Sequence, residues 1–282
     1  MIFKPTTTST TTATTTRIVP STGKKIALCM GINEYPDPRN RLSGCVNDAT
    51  DWSTLLGGTY GFNVKTLLDS QVTSRNFMEI FGNYLSESKA GDYIVATYSG
   101  HGSNVPDNNG DEEDGRDECI CLYDRFFIDD EIRDLFKKIN PEATLVFISD
   151  SCHSGTVTRA FLNAMGDGNE RLIPRYMPPE DNIEAGEIKV SKVQNTIFYP
   201  EQDMKEILIA GCTPTEFSYD ARINGRNNGA MTAYAITVLK QNPTITFADF
   251  YAKLRVYLPS GSYPQTPLLE GSLEHKKSIM FK

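Results

Sequence analysis

Five apolar runs recur along the chain, and most are separated by enough residues for a helix. The runs are short and mostly continuous rather than alternating, which is typical of strands buried on both faces of a parallel sheet. They are Lys25–Gly31, Asn63–Leu68, Asp92–Ser99, Thr144–Asp150 and Glu206–Gly211. We therefore expect a parallel sheet at the centre of the molecule.

Segments with helical spacing of apolar residues lie between most of these runs. Cys45–Leu56 has this spacing, and Ser74–Lys89 follows Thr73, a favourable N-cap residue. Asp129–Lys138 begins with acidic residues and ends with lysines, as the helix dipole favours. The remaining two predicted helices are Gly229–Lys240 and Thr246–Arg255. The alternation predicts an α/β fold, with a mostly parallel sheet of about six strands and helices on both faces.

Two segments fall outside this alternation. Residues 1–23 include an almost unbroken threonine run that cannot bury a core, so we expect a disordered lead there. Residues 156–205 contain several prolines and many charges, which predicts an irregular insertion between the fourth and fifth strands. The expected folded domain is residues 24–282, in which the insertion separates residues 24–155 from residues 206–282.

Composition narrows the possible partners and the compartment. The 282 residues are 39% apolar, enough for one sizeable core, and their net charge of −8 argues against a nucleic-acid-binding surface. No apolar run has the length of a membrane span, and the N-terminus lacks a secretory pattern, so we expect no membrane association. Six cysteines without a disulfide-framework spacing indicate free thiols, and hence a cytoplasmic location.

The candidate chemistry lies at the carboxyl ends of the third and fourth predicted strands, the edge at which open α/β sheets bind ligands. Ser99-Gly100-His101-Gly102 ends one strand, and Asp150-Ser151-Cys152-His153-Ser154-Gly155 follows the other. A nearby imidazole converts a thiol into a nucleophilic thiolate, so we predict that His101 is the general base and Cys152 the nucleophile. The backbone N–H groups of Gly102 and Cys152 are predicted to form an oxyanion hole.

Two other assignments of these residue types are disfavoured. His153 is a competing base, but adjacent residues of an extended chain point to opposite sides, so it should face away from the Cys152 sulfur. Cys119-Ile120-Cys121 places two thiols on one face of a strand. No second Cys or His pair follows them, so the spacing does not predict a zinc site.

The two motifs together resemble the metacaspase and orthocaspase branch of the caspase-fold cysteine peptidases, in which the His lies about 50 residues before the Cys. Further matching segments are Leu42–Ala49, Asp111–Glu118, Ile128–Ile132, Gly211-Cys212, Ser218–Ala221 and Gly229–Thr232. The resemblance covers residues 24–282. It implies a caspase-like three-layer fold and a cysteine endopeptidase that cleaves peptide or protein substrates after Arg or Lys as a monomer.

The resemblance also implies a specificity pocket. It places Asp48 and Asp150 at the pocket floor with Cys45 and Ser99 beside them, and Asp220 in the same cleft. Two carboxylates at a pocket floor favour a cationic side chain and reject an acidic one.

Calcium is the cofactor that the resemblance implies, because metacaspases of this type commonly need it and carboxylate oxygens bind it well. By motif position its ligands are Asp114, Asp117, Asp129 and Asp130. The family usually carries an acidic residue where this chain has Arg159. The calcium site is therefore weaker, or is completed by other ligands, or activity is independent of calcium.

The insertion also offers basic residues at which such an enzyme would cut itself, and self-cleavage would make the chain a zymogen. The candidate sites are Arg159, Arg171, Arg175, Lys189 and Lys192. Two other functions stay open on the sequence alone. One is a non-catalytic caspase-fold module that acts through protein interactions, and the other is a caspase-fold peptidase of different specificity.

Overall fold

The computed structural model describes residues 23–106, 116–152, 172–179, 201 and 204–282. In chain order its strands are β1 (Lys25–Gly31), β2 (Asn63–Leu68), β3 (Tyr93–Ser99), β4 (Gly102–Pro106), β5 (Arg116–Cys121), β6 (Phe126–Ile128), β7 (Thr144–Asp150), β8 (Ile173–Pro174), β9 (Glu206–Ala210), β10 (Tyr219–Ile223), β11 (Arg226–Gly229) and β12 (Leu268–Glu270). Its α-helices are α1 (Cys45–Tyr60), α2 (Ser74–Ser86), α3 (Asp129–Phe136), α4 (Ala230–Gln241), α5 (Phe247–Leu254) and α6 (Leu273–Lys277).

A six-stranded sheet in the order β12-β9-β7-β3-β1-β2 forms the centre of the fold. All neighbouring strands in it are parallel except β12, which pairs antiparallel with β9. The predicted α/β class with a mostly parallel sheet of six strands is confirmed. None of the helices in the described part of the chain is long and apolar enough to cross a membrane.

Helices cover both faces of this sheet because consecutive strand residues point to opposite sides. From β1, Leu28 and Met30 pack in one core cluster with apolar residues of α2 and α3. Ala27 and Cys29 pack in the other cluster with residues of α1, α4 and α5. The result is the three-layer arrangement expected of a parallel sheet that is buried on both faces.

Most predicted element boundaries agree with the structure within a few residues. The largest difference is α1, which continues past the predicted end at Leu56 through two glycines and stops at Gly61, whose φ of 73° is left-handed. The predicted second helix was three residues too long, because the backbone leaves helical geometry at Glu87. Strand β3 begins at Tyr93 rather than Asp92, whose carboxylate instead accepts the backbone N–H groups of Lys24 and Lys89.

Two small antiparallel sheets, β4-β5-β6 and β11-β10-β8, were not predicted from the sequence. Strand β8 lies inside the segment predicted to be irregular, and it pairs with the start of β10. The pairing brings residues 172–179, which we call the docked segment, to the carboxyl edge of the central sheet. The structure therefore departs from the predicted irregular insertion at a position next to the candidate site.

Candidate active site

His101 and Cys152 come from two strands that are direct neighbours in the sheet. Strands β3 and β7 run parallel, and their last residues, Ser99 and Asp150, are register partners. His101 and Cys152 lie two residues beyond these strand ends, and both side chains are buried. The topology therefore brings the two predicted reactive side chains to the same edge of the sheet, as the sequence pattern indicated.

The backbone around His101 is held by two buried tyrosines. The His101 N–H donates to the Tyr35 hydroxyl at 2.8 Å, and the Tyr98 hydroxyl donates to the His101 carbonyl at 2.7 Å. The imidazole Nε2 lies 2.8 Å from the Asn40 carbonyl oxygen, which can only accept, so Nε2 carries the proton. Nδ1 is buried and makes no hydrogen bond to any described residue, so its lone pair remains available.

The electrostatic surroundings of His101 keep its imidazole neutral. Burial lowers its pKa to about 4; the backbones of Asn40 and Arg175 oppose this shift, and the nearby Arg175 charge adds to it. A neutral imidazole whose Nδ1 is unprotonated has the form that a general base needs near pH 7.

The Cys152 thiol is bound by the backbone of a single residue, Ser218. Its Sγ donates to the Ser218 carbonyl at 3.0 Å and accepts the Ser218 N–H at 2.8 Å. Ser218 directly precedes β10. It begins the segment Ser218–Ala221, which the sequence analysis matched to the resembled family without giving Ser218 a role. Cys152 also packs in a small buried cluster with Tyr176, Cys212 and Phe217.

A guanidinium from the docked segment lies within a set of carboxylates next to the dyad. Arg175 is fully buried, and its Nη2 is 2.6 Å from Asp48 and 3.1 Å from Asp220. Its Nη1 is 3.3 Å from the Asp150 carboxylate and 3.0 Å from the Asp150 carbonyl. The three acidic residues predicted to form the specificity pocket therefore surround one arginine of the same chain.

Each of these carboxylates is held in place by other hydrogen bonds, most of them from backbone N–H groups. Asp48 accepts from the Gly229 N–H at 3.0 Å and from the Asn228 amide at 2.9 Å. Asp150 accepts from the N–H and hydroxyl of Thr232 at 2.9 and 2.7 Å, and also from the Ser218 hydroxyl. Asp220 accepts from the N–H groups of Ser43 and Gly44 at 2.8 and 3.0 Å. The three carboxylates therefore have positioning partners other than Arg175.

Burial has a clear electrostatic consequence in this pocket. It raises the pKa of Asp48 to about 7, although the Arg175 charge opposes the shift. Burial also raises the pKa of the neighbouring Cys45 thiol well above its usual value. A Cβ placed on Gly229 would lie 2.2 Å from the Asp150 carboxylate and 2.4 Å from the Arg175 guanidinium, so only glycine fits at this wall.

The backbone of Arg175 is bound as closely as its side chain. Its carbonyl oxygen accepts the N–H of Gly102 at 2.9 Å and that of Cys152 at 3.2 Å. These are the two groups that the sequence predicted for an oxyanion hole, and they bind one carbonyl here. The Arg175 N–H donates to the Ser218 carbonyl at 2.9 Å, and the Met177 N–H donates to the Gly102 carbonyl at 2.9 Å.

Gly102 permits this approach because it has no side chain. A Cβ at this position would lie 1.9 Å from the Cys152 carbonyl oxygen, closer than any real contact. With both its N–H and its carbonyl engaged, Gly102 holds the chain on either side of the Arg175–Tyr176 peptide bond. The peptide bond after Arg175 therefore lies beside the backbone of Cys152.

The structure describes only some of the residues predicted to bind calcium or to be cleaved. Asp117 lies on β5, and Asp129 and Asp130 begin α3. Asp114 is outside the described residues, as are His153, Arg159, Arg171, Lys189 and Lys192. Among the described residues, no three His, Cys, Asp or Glu side chains are close enough to hold a metal ion. All six cysteines lie in the described part and are free thiols, including Cys119 and Cys121.

Sequence reasoning missed the roles of Asn40 and Ser218 in this site. Asn40 binds His101, and Ser218 binds Cys152 and Arg175, through backbone atoms, which are present at every residue and leave no signature of residue type. The sequence signal that could have suggested Ser218 was its position two residues before Asp220, because a strand beside the pocket must also offer its backbone.

Comparison with known proteins agrees with this geometry. The profile of the caspase domain family matches residues 24–278. Metacaspase-1 of Ajellomyces capsulatus is 31% identical over 89% of this chain and 80% of its own, and Metacaspase-1A of Aspergillus fumigatus is 30% identical over 89% and 69%.

Two solved structures have the same fold. Protein GSU0716 from Geobacter sulfurreducens is 30% identical, with a TM-score of 0.72 over 92% of this chain and 98% of its own. Caspase-1 from Spodoptera frugiperda is 13% identical, with a TM-score of 0.57 over 91% and 88%. The match of the family profile to nearly the whole described fold, together with the metacaspase relatives, shows that this chain belongs to the caspase domain family as a metacaspase-like cysteine peptidase, a hydrolase.

Proposed function

We propose that the protein is an endopeptidase that cleaves after Arg, and less efficiently after Lys, through Cys152 and His101. The observation that carries the proposal is the binding of Arg175. Its guanidinium is surrounded by three buried carboxylates while its carbonyl oxygen accepts the N–H groups of Gly102 and Cys152. An Arg fits this pocket better than a Lys because its planar fork reaches several acceptors at once.

The chemistry follows from the groups around this carbonyl. The Cys152 thiol gives its proton to His101 Nδ1, and its sulfur bonds to the substrate carbonyl carbon. The oxygen takes up negative charge and is stabilised by the N–H groups of Gly102 and Cys152. The carbon–nitrogen bond then breaks as the leaving amine takes the proton from His101. Water, deprotonated by His101, hydrolyses the thioester and returns the thiol.

In the docked state the Cys152 thiol proton is bound to Ser218 and not to His101. The Sγ–H donates to the Ser218 carbonyl, so proton transfer to His101 requires this hydrogen bond to break first. The Asn40 carbonyl holds the imidazole throughout, since it stabilises the Nε2–H of both the neutral and the protonated ring.

We propose further that Arg175 is a self-cleavage site and that the uncut chain is a zymogen. The Arg175–Tyr176 bond has the hydrogen bonds of a bound substrate on both sides, and the buried Arg175 excludes any other side chain from the pocket. Until it is cut or leaves, the docked segment blocks the site. A mass spectrum of the processed protein should show a new N-terminus at Tyr176.

Calcium activation is a separate proposal. The antiparallel pairing of Cys119 with Ile128 sets Asp117 on the strand beside the start of α3, where Asp129 and Asp130 lie. The three carboxylates are not close enough together to hold an ion as the structure has them, so calcium binding would have to draw them together. These are hard oxygen ligands, and Asp114 would add a fourth. Bound there, the ion would supply charge that orders this end of the β5–β6 hairpin. Asp117→Asn should weaken calcium dependence, whereas Asp134→Asn on the exposed face of α3 should not. Equal rates in calcium and in chelator would refute the proposal.

The central test compares peptides that differ only in the residue before the cleaved bond. Arg peptides should be cleaved fastest, then Lys, with Gln and Asp near background. Cys152→Ala and His101→Ala should abolish hydrolysis. Exposed Arg222→Gln is the matched control for effects of charge alone. Cleavage after Asp, or Arg cleavage that survives in Cys152→Ala, would overturn the proposal, and a folded protein that cleaves none of the peptides would favour the interaction module. Light scattering should show a monomer.

A further inference from the structure

The docked segment occupies the cleft beyond the scissile bond as well as before it. Tyr176, directly after Arg175, is buried, and its backbone bridges to Gly102. Met177 is also buried, but it belongs to a different core cluster, the one that includes Tyr35 and Tyr98. Consecutive residues of an extended chain point to opposite sides, so the two side chains enter two different sites.

The site that receives Tyr176 is aromatic. Its ring packs against Phe217 with centroids 6.2 Å apart and planes at 65°, and Phe217 packs edge-on against Tyr219 at 6.4 Å. Cys152 and Cys212 belong to the same buried cluster. Phe217 immediately precedes Ser218, whose backbone binds both the Cys152 sulfur and the Arg175 N–H. A substrate ring that packs against Phe217 therefore contacts the residue next to Ser218, whose backbone binds the Cys152 sulfur.

We infer that this cluster is a subsite for the residue after the cleaved bond and that it selects an aromatic side chain. This deepens the proposed function, on which it rests: the substrate class becomes polypeptides with an Arg followed directly by Tyr, Phe or Trp. The physical reason is that an aromatic ring gains both buried area and edge-to-face contact with Phe217, and a small or charged residue gains neither.

The test measures the ratio of kcat/KM between two peptides. This ratio does not depend on the fraction of enzyme molecules from which the docked segment has left. Internally quenched peptides with Arg–Phe, Arg–Gly and Arg–Asp bonds are hydrolysed by the full chain. We expect kcat/KM for Arg–Phe to exceed that for Arg–Gly by about tenfold. Phe217→Ala should bring the ratio close to one. Tyr84→Ala, which truncates a partly buried aromatic on the opposite layer, should leave it unchanged.

The self-cleavage site provides a second measurement. Tyr176→Gly should slow the appearance of the fragment that begins at residue 176, and Tyr176→Phe should restore it. If Arg–Gly is cleaved as fast as Arg–Phe, the aromatic subsite is wrong while Arg specificity stands. If neither peptide is cleaved, the proposed function and the subsite both fail.

Discussion

Replacement of Arg175 by Gln should loosen the docked segment and open the site. The substitution removes the cation that the described residues place among three buried carboxylates, and it leaves Asp48 without its shortest ionic contact, at 2.6 Å. Removing one partner of a buried ion pair typically costs about 3–5 kcal/mol, because the remaining charges stay desolvated. The loss cannot exceed the free energy of docking, since the segment can leave and let water into the pocket.

Two measurable quantities follow from this magnitude. In a Cys152→Ala background, which prevents self-cleavage, the melting temperature should fall by roughly 10 °C, at about 2–4 °C per kcal/mol for a domain of this size. In the active protein, initial hydrolysis of an external Arg peptide should rise by about 100-fold. A docking free energy of about 3 kcal/mol leaves only one molecule in about 100 open.

The controls separate loss of charge from loss of docking. Arg222→Gln removes an exposed arginine from β10 and should change neither quantity. A small guanidinium compound such as agmatine should raise the melting temperature of the Arg175→Gln protein by mass action, because it replaces the missing cation. An Arg175→Gln protein with unchanged stability and unchanged initial rate would show that the carboxylates do not bind this arginine.

Three further perturbations test the site. Asp48→Asn should lower kcat/KM for Arg peptides by at least tenfold. With Asp48 intact, that parameter should fall as the pH is lowered, because protonation of this carboxylate removes a charge that binds the cation. The pKa of about 7 belongs to the pocket that holds Arg175, whose charge lowers it, so the midpoint of the open enzyme lies higher; a flat profile between pH 6 and 8 would contradict this. Gly229→Ala should reduce Arg hydrolysis by about 100-fold or more, because the added methyl overlaps the guanidinium position; a folded variant with normal kinetics would be decisive against the pocket. Tyr98→Phe removes one O–H, which lies within reach of the His101 and Cys121 carbonyls. Each carbonyl keeps another donor, the Cys121 N–H and the Tyr35 hydroxyl respectively. The variant should therefore cost only about 0.5–1.5 kcal/mol in denaturant unfolding and lower kcat more than it raises KM; an effect on KM alone would argue that Tyr98 does not position His101.

The long parallel strands could be predicted because each is buried on both faces and needs a continuous apolar run. The ends of β1, β2 and β7 agree with the sequence prediction residue by residue. The short strands β4, β8 and β10 carry no such run. Pro174, which in isolation suggests a break, lies in β8 where its neighbour Ile173 pairs with Asp220. Their pairing depends on contacts distant in sequence, which no local pattern encodes.

The acidic pocket could likewise be predicted only in part: its carboxylates could be predicted from the sequence, but the arginine that they bind could not. Asp48 and Asp150 were singled out by their motifs, and the structure brings them together with Asp220. The sequence offered Arg175 only as one of several basic residues in the insertion. Nothing local distinguishes it from the others, because its place is set by the pairing of β8 with β10 and by carboxylates from three distant segments.

Under the proposed function, Arg specificity and self-inhibition by the docked segment have one physical origin. Backbone N–H groups that do not belong to the docked segment bind Asp48 and Asp220, so these two carboxylates keep partners that hold them near each other when Arg175 leaves and water enters. The lowest free energy is reached when a guanidinium enters, and the nearest one belongs to the chain itself. A substrate must therefore displace Arg175 or follow its cleavage, and it is recognised by the contacts that Arg175 makes. The Ser218 backbone links the two states, because its carbonyl binds the Arg175 N–H and also accepts from the resting Cys152 thiol. Release of that thiol toward His101 is then the step by which a bound arginine becomes a cleaved one.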